Sequence, residues 1–196
     1  MTSQLILASA SFTRRRLLND AGIEHVVDVA DVNEAQIKST GFENPQDLSE
    51  CLAQMKALAV SARHPDAMVI GADQVLVLGE EILDKPGSSQ KVSTQLKKLR
   101  GHTHTLLSSV SVAQNNHVLW TYTDQAHMQM RDFSDTFLND YVKRVGDQVA
   151  SSVGAYHLEG LGAQLFDRVD GDYFTVLGLP LLPLLNFLRA QSALKT

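Results

Sequence analysis

Eleven consecutive residues, Met68 to Leu78, read Met-Val-Ile-Gly-Ala-Asp-Gln-Val-Leu-Val-Leu, a nearly unbroken apolar run. A strand with one wet face alternates apolar and polar residues, whereas a run without alternation belongs to a strand covered on both faces. The run therefore calls for a layered fold with structure above and below this strand. One charge interrupts it. Asp73 is costly to bury unless it is paired, coordinates a metal or faces a cleft, and such a carboxylate marks a candidate active site.

The rest of the chain supplies the other layers. Leu5 to Ala8 reads as a strand and leads into a helix from about Phe12, and His25 to Ala30 reads as a second short strand. Asp31 to Asn44 is polar and reads as a loop around Glu34. A helix starts at Pro45 and runs to about Ala62, with Leu48, Leu52, Met55 and Ala59 as its apolar stripe and Lys56 beside it, as for a snorkelling surface lysine. After the central strand, Ile82-Leu83-Asp84-Lys85-Pro86-Gly87 forms a loop that presents Lys85. A helix over Ser89 to Arg100 buries Val92, Leu96 and Leu99. Thr103 to Ala113 and His117 to Met130 then form a hairpin about Gln114-Asn115-Asn116. Another helix begins at Ser134 or Asp135 and stops at Gly146. Ala163 to Val169 is strand-like, Asp170-Gly171-Asp172 is a turn, and a last helix begins near Pro180 or Pro183. Alternating strands and helices with a central hairpin make the class α/β with a mixed sheet.

Composition excludes several functions. Of 196 residues, 44% are hydrophobic and 20% charged, which is ordinary for a globular protein. The net charge of −5 argues against a general binder of nucleic acid polymers, which would carry a basic face. Cys51 is the only cysteine, so there is no intrachain disulfide and no thiolate metal cluster. No run reaches the roughly 18 apolar residues of a membrane helix, and no secretory leader pattern precedes the first strand. A cytoplasmic location without membrane attachment is the expectation.

The strand-to-helix junction at the start outlines an anion site. Ser11 can cap the helix from Phe12, so free N–H groups, the hydroxyls of Ser9 and Ser11 and a positive helix end converge where the strand stops. Arg14 lies in the first turn, where the helix dipole disfavours a cation, so its guanidinium is better placed to serve a ligand than the helix. A capped surface helix with solvated arginines is the alternative. Together with Glu34 and Asp73 as carboxylates and Lys56 and Lys85 as cations, these residues are the parts for metal-assisted attack of water on a phosphoanhydride. There is no Walker A sequence and no zinc motif.

Ser9-x-Ser11-x-x-Arg14, Glu34, Lys56, Gly71-Ala72-Asp73, Lys85-Pro86, Gly101-x-x-His104, Gly154-Ala155-Tyr156 and Gly178-Leu179-Pro180-Leu181 come in the order and spacing of one family. Over essentially its whole length the chain resembles the Maf nucleoside triphosphate pyrophosphatases. The resemblance implies a single Maf-like domain over residues 1–196. Its fold would be α/β, with an elongated mixed sheet flanked by helices and two lobes around a cleft, as in Maf and ITPase-like proteins. It implies hydrolysis of a nucleoside triphosphate to the monophosphate and pyrophosphate with a divalent cation, Mg²⁺, Mn²⁺ or Co²⁺, and it makes a homodimer plausible. Carried over by position, Asp73 looks like the proton acceptor for water, with a share in metal binding, and Glu34 like a metal ligand. Ser9, Arg14, Lys56 and Lys85 look like the triphosphate clamp, with Ser11 beside them.

Three positions separate the branches of this family. A branch similar to dTTP/UTP pyrophosphatases has Arg, Thr and Gln, and one similar to 7-methyl-GTP pyrophosphatases has Trp, Gln and Glu; here they are Thr13, Gln74 and Glu159. Two of three match the methylguanine branch, and Glu159 could accept from guanine N1–H and its exocyclic amine, where uracil offers one ring N–H. Thr13 matches neither branch. Phe12, where the family usually has proline, either supplies a stacking surface in place of the missing Trp or packs inward. A lysine common before Gly-Ala-Tyr in the pyrimidine branch is replaced by Ser151-Ser152-Val153, and His157 reads as a strand or loop histidine. The resemblance thus favours 7-methyl-GTP. A dTTP/UTP or broad-specificity enzyme, and a low-turnover nucleotide-binding regulator of division, are the alternatives.

Overall fold

The computed structural model describes residues 4–194. Its seven strands form one sheet: β1 (Leu5–Leu7), β2 (Val26–Val27), β3 (Met68–Leu78), β4 (Glu81–Leu83), β5 (Thr103–Gln114), β6 (His117–Met130) and β7 (Phe166–Asp170). The order is β2-β1-β3-β5-β6-β7, with β4 pairing β3 off that path. β1 runs parallel to β2 and to β3, whereas β3 with β4 and β6 with β7 are antiparallel, so the sheet is mixed. The helices are α1 (Phe12–Asp20), α2 (Glu34–Ser39), α3 (Pro45–Ser61), α4 (Ser89–Leu99), α5 (Asp135–Val145), α6 (Tyr173–Val176) and α7 (Leu181–Ala190).

The chain divides into two compact units. The first holds residues up to Gln74, Leu107–Asp124 and the chain from Asp172 on; the second holds Val75–Leu106 and Gln125–Gly171. In the first unit, strand periodicity sorts the side chains into two layers. Leu5, Leu7, Ile70 and Ala72 face one way and pack with Leu17 and Leu18 of α1 and Leu181, Leu184 and Leu188 of α7. Ile6, Ala8 and Val69 face the other way and pack with Val60 of α3. The apolar run of β3 is thus covered on both faces. In the second unit, α4 presents Val92, Leu96 and Leu99, all fully buried, and α5 presents Leu138 and Tyr141.

Several expectations change. The stretch Asp31 to Asn44 is not all loop: α2 begins at Glu34, and the Asn33 side chain caps it by accepting from the Gln36 N–H at 3.1 Å. The strand expected over His25 to Ala30 shrinks to Val26–Val27, both exposed. On α3 the buried face is Leu48, Leu52, Ala53, Ala57 and Val60, while Met55 is 42% exposed. The strand expected from Ala163 begins at Phe166, because Leu161–Leu165 form a 3₁₀ turn. Ile82 and Leu83 pair with β3 as part of β4 instead of opening a loop. The central hairpin turns on Asn115 and Asn116, both with positive φ, as a two-residue turn of type I′ requires. No described helix is long and apolar enough to cross a membrane.

Candidate active site

Strand periodicity puts Asp73 on the face of β3 that α3 covers, two residues beyond Gly71 and four beyond Val69. The approach of helix to strand there is unusually close. A Cβ on Gly71 would lie 2.3 Å from the Ala53 carbonyl oxygen and 2.6 Å from the Ala57 nitrogen, so only glycine fits. Lys56 sits on the same helical face, three residues after Ala53 and four before Val60, and reaches Asp73 Oδ1 at 2.6 Å. The same Nζ meets Glu34 Oε1 at 2.7 Å, from the first residue of α2. The lysine and Asp73 side chains are 13% and 10% exposed and Glu34 is 41%, so the triad opens to solvent on its Glu34 side.

Opposite parity puts Ala72 and Gln74 toward α1 and α7. Arg14 donates through Nη1 to the Ala72 carbonyl and through Nε to the Gly178 carbonyl, each at 2.8 Å. Gly178 has φ +87 and a virtual Cβ 3.5 Å from both Arg14 Nη2 and Gln74 Oε1. Arg14 therefore tightens the strand that carries Asp73 as well as offering its remaining N–H groups to a ligand. Burial draws the guanidinium pKa below its ordinary value, and the charges of Asp73 and Glu34 pull it back up. At the head of α1, Ser11 Oγ accepts from the Arg14 N–H at 3.3 Å, confirming the cap. Ser9 Oγ, buried, accepts from the Ser11 N–H at 3.2 Å and from Arg14 Nη1 at 3.4 Å, which leaves its hydroxyl proton to donate. Thr13 is half-buried in the same turn. Phe12 is 74% exposed and does not pack inward.

Gln74 is fixed more tightly than its type suggests. Its Nε2 faces Ser108 Oγ at 2.9 Å and the carbonyls of Thr175 and Val176 at 3.1 Å each, and Ser108 in turn donates to Thr175 at 2.8 Å. Only Oε1 is left to face a ligand, as an acceptor.

The first unit thus holds Ser9, Ser11, Thr13, Arg14, Glu34, Lys56, Asp73 and Gln74, with Ser9 and Ser11 bonded to Arg14, Lys56 bonded to Glu34 and Asp73, and the charges of those two carboxylates acting on Arg14. Lys85 and Glu159 belong to the second unit, where both are exposed, Lys85 in the turn after β4 and Glu159 after Gly154-Ala155-Tyr156. Sequence reasoning missed the anchoring of Arg14 by Gly178 and the network of Ser108 and Thr175 around Gln74. The glycine of Gly178-Leu179-Pro180 was visible as a motif, but a carbonyl acceptor leaves no trace in residue type.

Two carboxylates converge on one ammonium here, an all-oxygen set that suits a hard divalent ion sharing its shell with water and phosphate. Among the described residues no three His, Cys, Asp or Glu side chains gather as a complete metal cage. Such an ion would need oxygens from water or a ligand to fill its shell.

A model of the Maf-like protein family matches residues 4–191. Among curated proteins, the 7-methyl-GTP pyrophosphatase of Brucella abortus is 47% identical over 197 residues, covering 99% of each chain. A nucleoside triphosphate pyrophosphatase of Paramagnetospirillum magneticum is 48% identical over 96% of this chain and 99% of its own, and one from Ruegeria pomeroyi is 41% identical over the whole of both. Among solved structures, a Mycobacterium abscessus nucleoside-triphosphatase (dITP/XTP pyrophosphatase) aligns over 76% of this chain and 96% of its own, at 13% identity and a TM-score of 0.41, a likeness too slight to carry an argument. With its family model spanning nearly the full length and relatives this similar end to end, the chain belongs to the Maf-like protein family.

Proposed function

We propose that this protein hydrolyses nucleoside triphosphates to the monophosphate and pyrophosphate, with 7-methyl-GTP as its preferred substrate and a divalent cation as cofactor. The observation that carries the reading is Lys56, held between Glu34 and Asp73 within the unit that also holds the capped, arginine-bearing head of α1. The names of the relatives supply the reaction: two Brucella proteins at 47% identity are 7-methyl-GTP pyrophosphatases, and others are named for nucleoside triphosphates without a base.

In the reaction, water adds to a phosphorus of the α–β anhydride, the bridging oxygen leaves with the other phosphate, and one proton of the water passes to Asp73. Ser9 Oγ–H, the free N–H groups at the start of α1 and the unspent N–H groups of Arg14 bind phosphate oxygens, and Lys56 offsets charge developing on them. Lys85 joins the clamp by resemblance. Arg14 and Lys56 balance Glu34 and Asp73 in charge, so a polyphosphate needs more positive charge than Lys85 alone adds. A divalent ion held by Glu34 and Asp73 would supply it and polarise a phosphoryl oxygen. For the base, the resemblance assigns Gln74 and Glu159; Gln74 has only its Oε1 acceptor left to offer and a carboxylate also accepts, which suits the donor-rich edge of guanine better than the single N–H of uracil.

Pyrophosphate release from a panel of triphosphates, with Mg²⁺, Mn²⁺ or Co²⁺ and with chelator, tests all three statements. The expected result is cation-dependent release, fastest on 7-methyl-GTP. Faster release from UTP or dTTP would move the protein to the pyrimidine branch, and tight binding without release would make it a nucleotide-binding regulator.

A further inference from the structure

The motifs around Gly101-x-x-His104 and Gly154-Ala155-Tyr156 take no part in the chemistry above, yet within the second unit they meet. His104, the second residue of β5, is 1% exposed, and its Nε2 lies 2.6 Å from the hydroxyl of Tyr156, itself buried. The Tyr156 ring packs edge-on against Phe166, with centroids 4.8 Å apart. The backbone is folded tightly around that ring. A Cβ on Gly154 would lie 2.2 Å from it, and Ala155 is held at φ +59, a conformation L residues other than Asn and Asp seldom adopt. The far end of the segment closes on His157: the Gly160 N–H donates to the His157 carbonyl at 3.2 Å, and a Cβ on Gly162 would lie 2.4 Å from that same oxygen. Glu159 lies within both closures.

The histidine is a costly choice for this place. Its Nδ1 is buried with no hydrogen-bond partner, and an apolar residue would avoid that cost if filling space were the only task. What an apolar residue could not do is hold the Tyr156 hydroxyl. We infer that His104 is a positioning residue for base recognition, acting through Tyr156 to set the turn 154–162 and the direction of Glu159. The inference rests on the reading of Glu159 as the base-reading carboxylate.

The test compares Tyr156→Phe, His104→Leu, His104→Gln and Glu159→Gln on 7-methyl-GTP and UTP, with hydrogen exchange over residues 157–162 as a readout independent of turnover. Tyr156→Phe and His104→Leu should lower the preference for 7-methyl-GTP by about tenfold, through KM, and speed exchange in the turn, with kcat on UTP unchanged. His104→Gln, whose amide can still meet the tyrosine hydroxyl, should restore both. On a Glu159→Gln background Tyr156→Phe should cost nothing more. Equal losses on both nucleotides, unchanged exchange, or a repeated loss in the double variant would overturn the inference. If His104→Leu fails to fold, Tyr156→Phe, which removes one oxygen, still decides. A preference changed by Glu159→Gln but not by Tyr156→Phe sinks this inference alone, whereas a silent Glu159→Gln sinks the base reading and this inference with it.

Discussion

Lys56 shows how one side chain serves both packing and chemistry. It is paired with Asp73 at 2.6 Å and Glu34 at 2.7 Å, so either carboxylate can be neutralised without stranding the ammonium. Asp73→Asn should therefore fold with a melting temperature within a few degrees of the parent, since loss of about 1 kcal/mol moves Tm by about 2–4 °C in a chain of this size. Its kcat should fall by about 10³-fold or more if Asp73 takes the proton from water. Thermal melts and steady-state rates check both halves, and a near-normal kcat would transfer the proton acceptor to Glu34. Lys56→Met has the opposite character: it removes the positive charge that bridges Glu34 and Asp73. Mg²⁺ should then raise Tm more in this variant than in the parent, because the ion replaces the lost positive charge. Equal shifts by differential scanning fluorimetry would mean that Glu34 and Asp73 do not form a cation site.

At the scale of elements, the site depends on how closely α3 lies on β3. Gly71 has no room for a Cβ against the backbone of Ala53 and Ala57, and Lys56 lies between those two alanines in sequence, so pushing the helix away would open the Lys56–Asp73 pair. Gly71→Ala should destabilise the fold by about 1–3 kcal/mol, as overpacking does, and lower kcat even where the protein remains folded. Urea denaturation and activity on the same sample check it, and full activity would show that the separation of α3 and β3 is not what sets the pair. This contact also explains a misreading of the sequence. Hydropathy favours Met55 over Ala53 and Ala57 as a core residue, and so turns the stripe of α3 away from its real face and leaves Lys56 looking like a surface lysine. Where small residues pack because a partner strand carries glycine, the apolar pattern understates burial. β3, by contrast, was legible to the residue, since an eleven-residue run broken only by Asp73 and Gln74 fits little else. α2 had its signal in Asn33 followed three residues later by Gln36, a capping pattern, but its polar turn offered no apolar periodicity. Type and order in the sequence named the candidate site residues, and the structure adds that Lys56 pairs with both Glu34 and Asp73. The fixing of Arg14 by the carbonyls of Ala72 and Gly178 was not, because it runs through backbone oxygens far apart in the chain.

For the whole molecule, buried His104 couples stability to pH. Desolvation holds its pKa down to about 4, below the ordinary value near 6.5, so at neutral pH the folded protein keeps it uncharged. Above about 6.5 neither the folded nor the unfolded state binds a proton there, and the site contributes no pH dependence. As pH falls from about 6.5 toward 4 the unfolded chain takes up a proton that the folded chain refuses, so stability drops; below about 4 both states are protonated and the effect levels off. The loss over that window is about 3 kcal/mol for one histidine with this shift. Asp28, held low chiefly by its bond from Arg63, and Asp135, held low chiefly by its bond from Arg100, also weaken the fold on acidification, but through their own lowered carboxyl pKa values and therefore at more acidic pH. Both remain in a His104→Gln variant, where they cancel from the comparison. Urea unfolding at a series of pH values should give a parent stability that falls more steeply than that of His104→Gln between pH 6.5 and 4, with parallel curves above pH 7. Parallel curves throughout would mean that His104 takes up its proton in the folded state as readily as in the unfolded one, and that the pocket around Tyr156 opens to water before the protein unfolds.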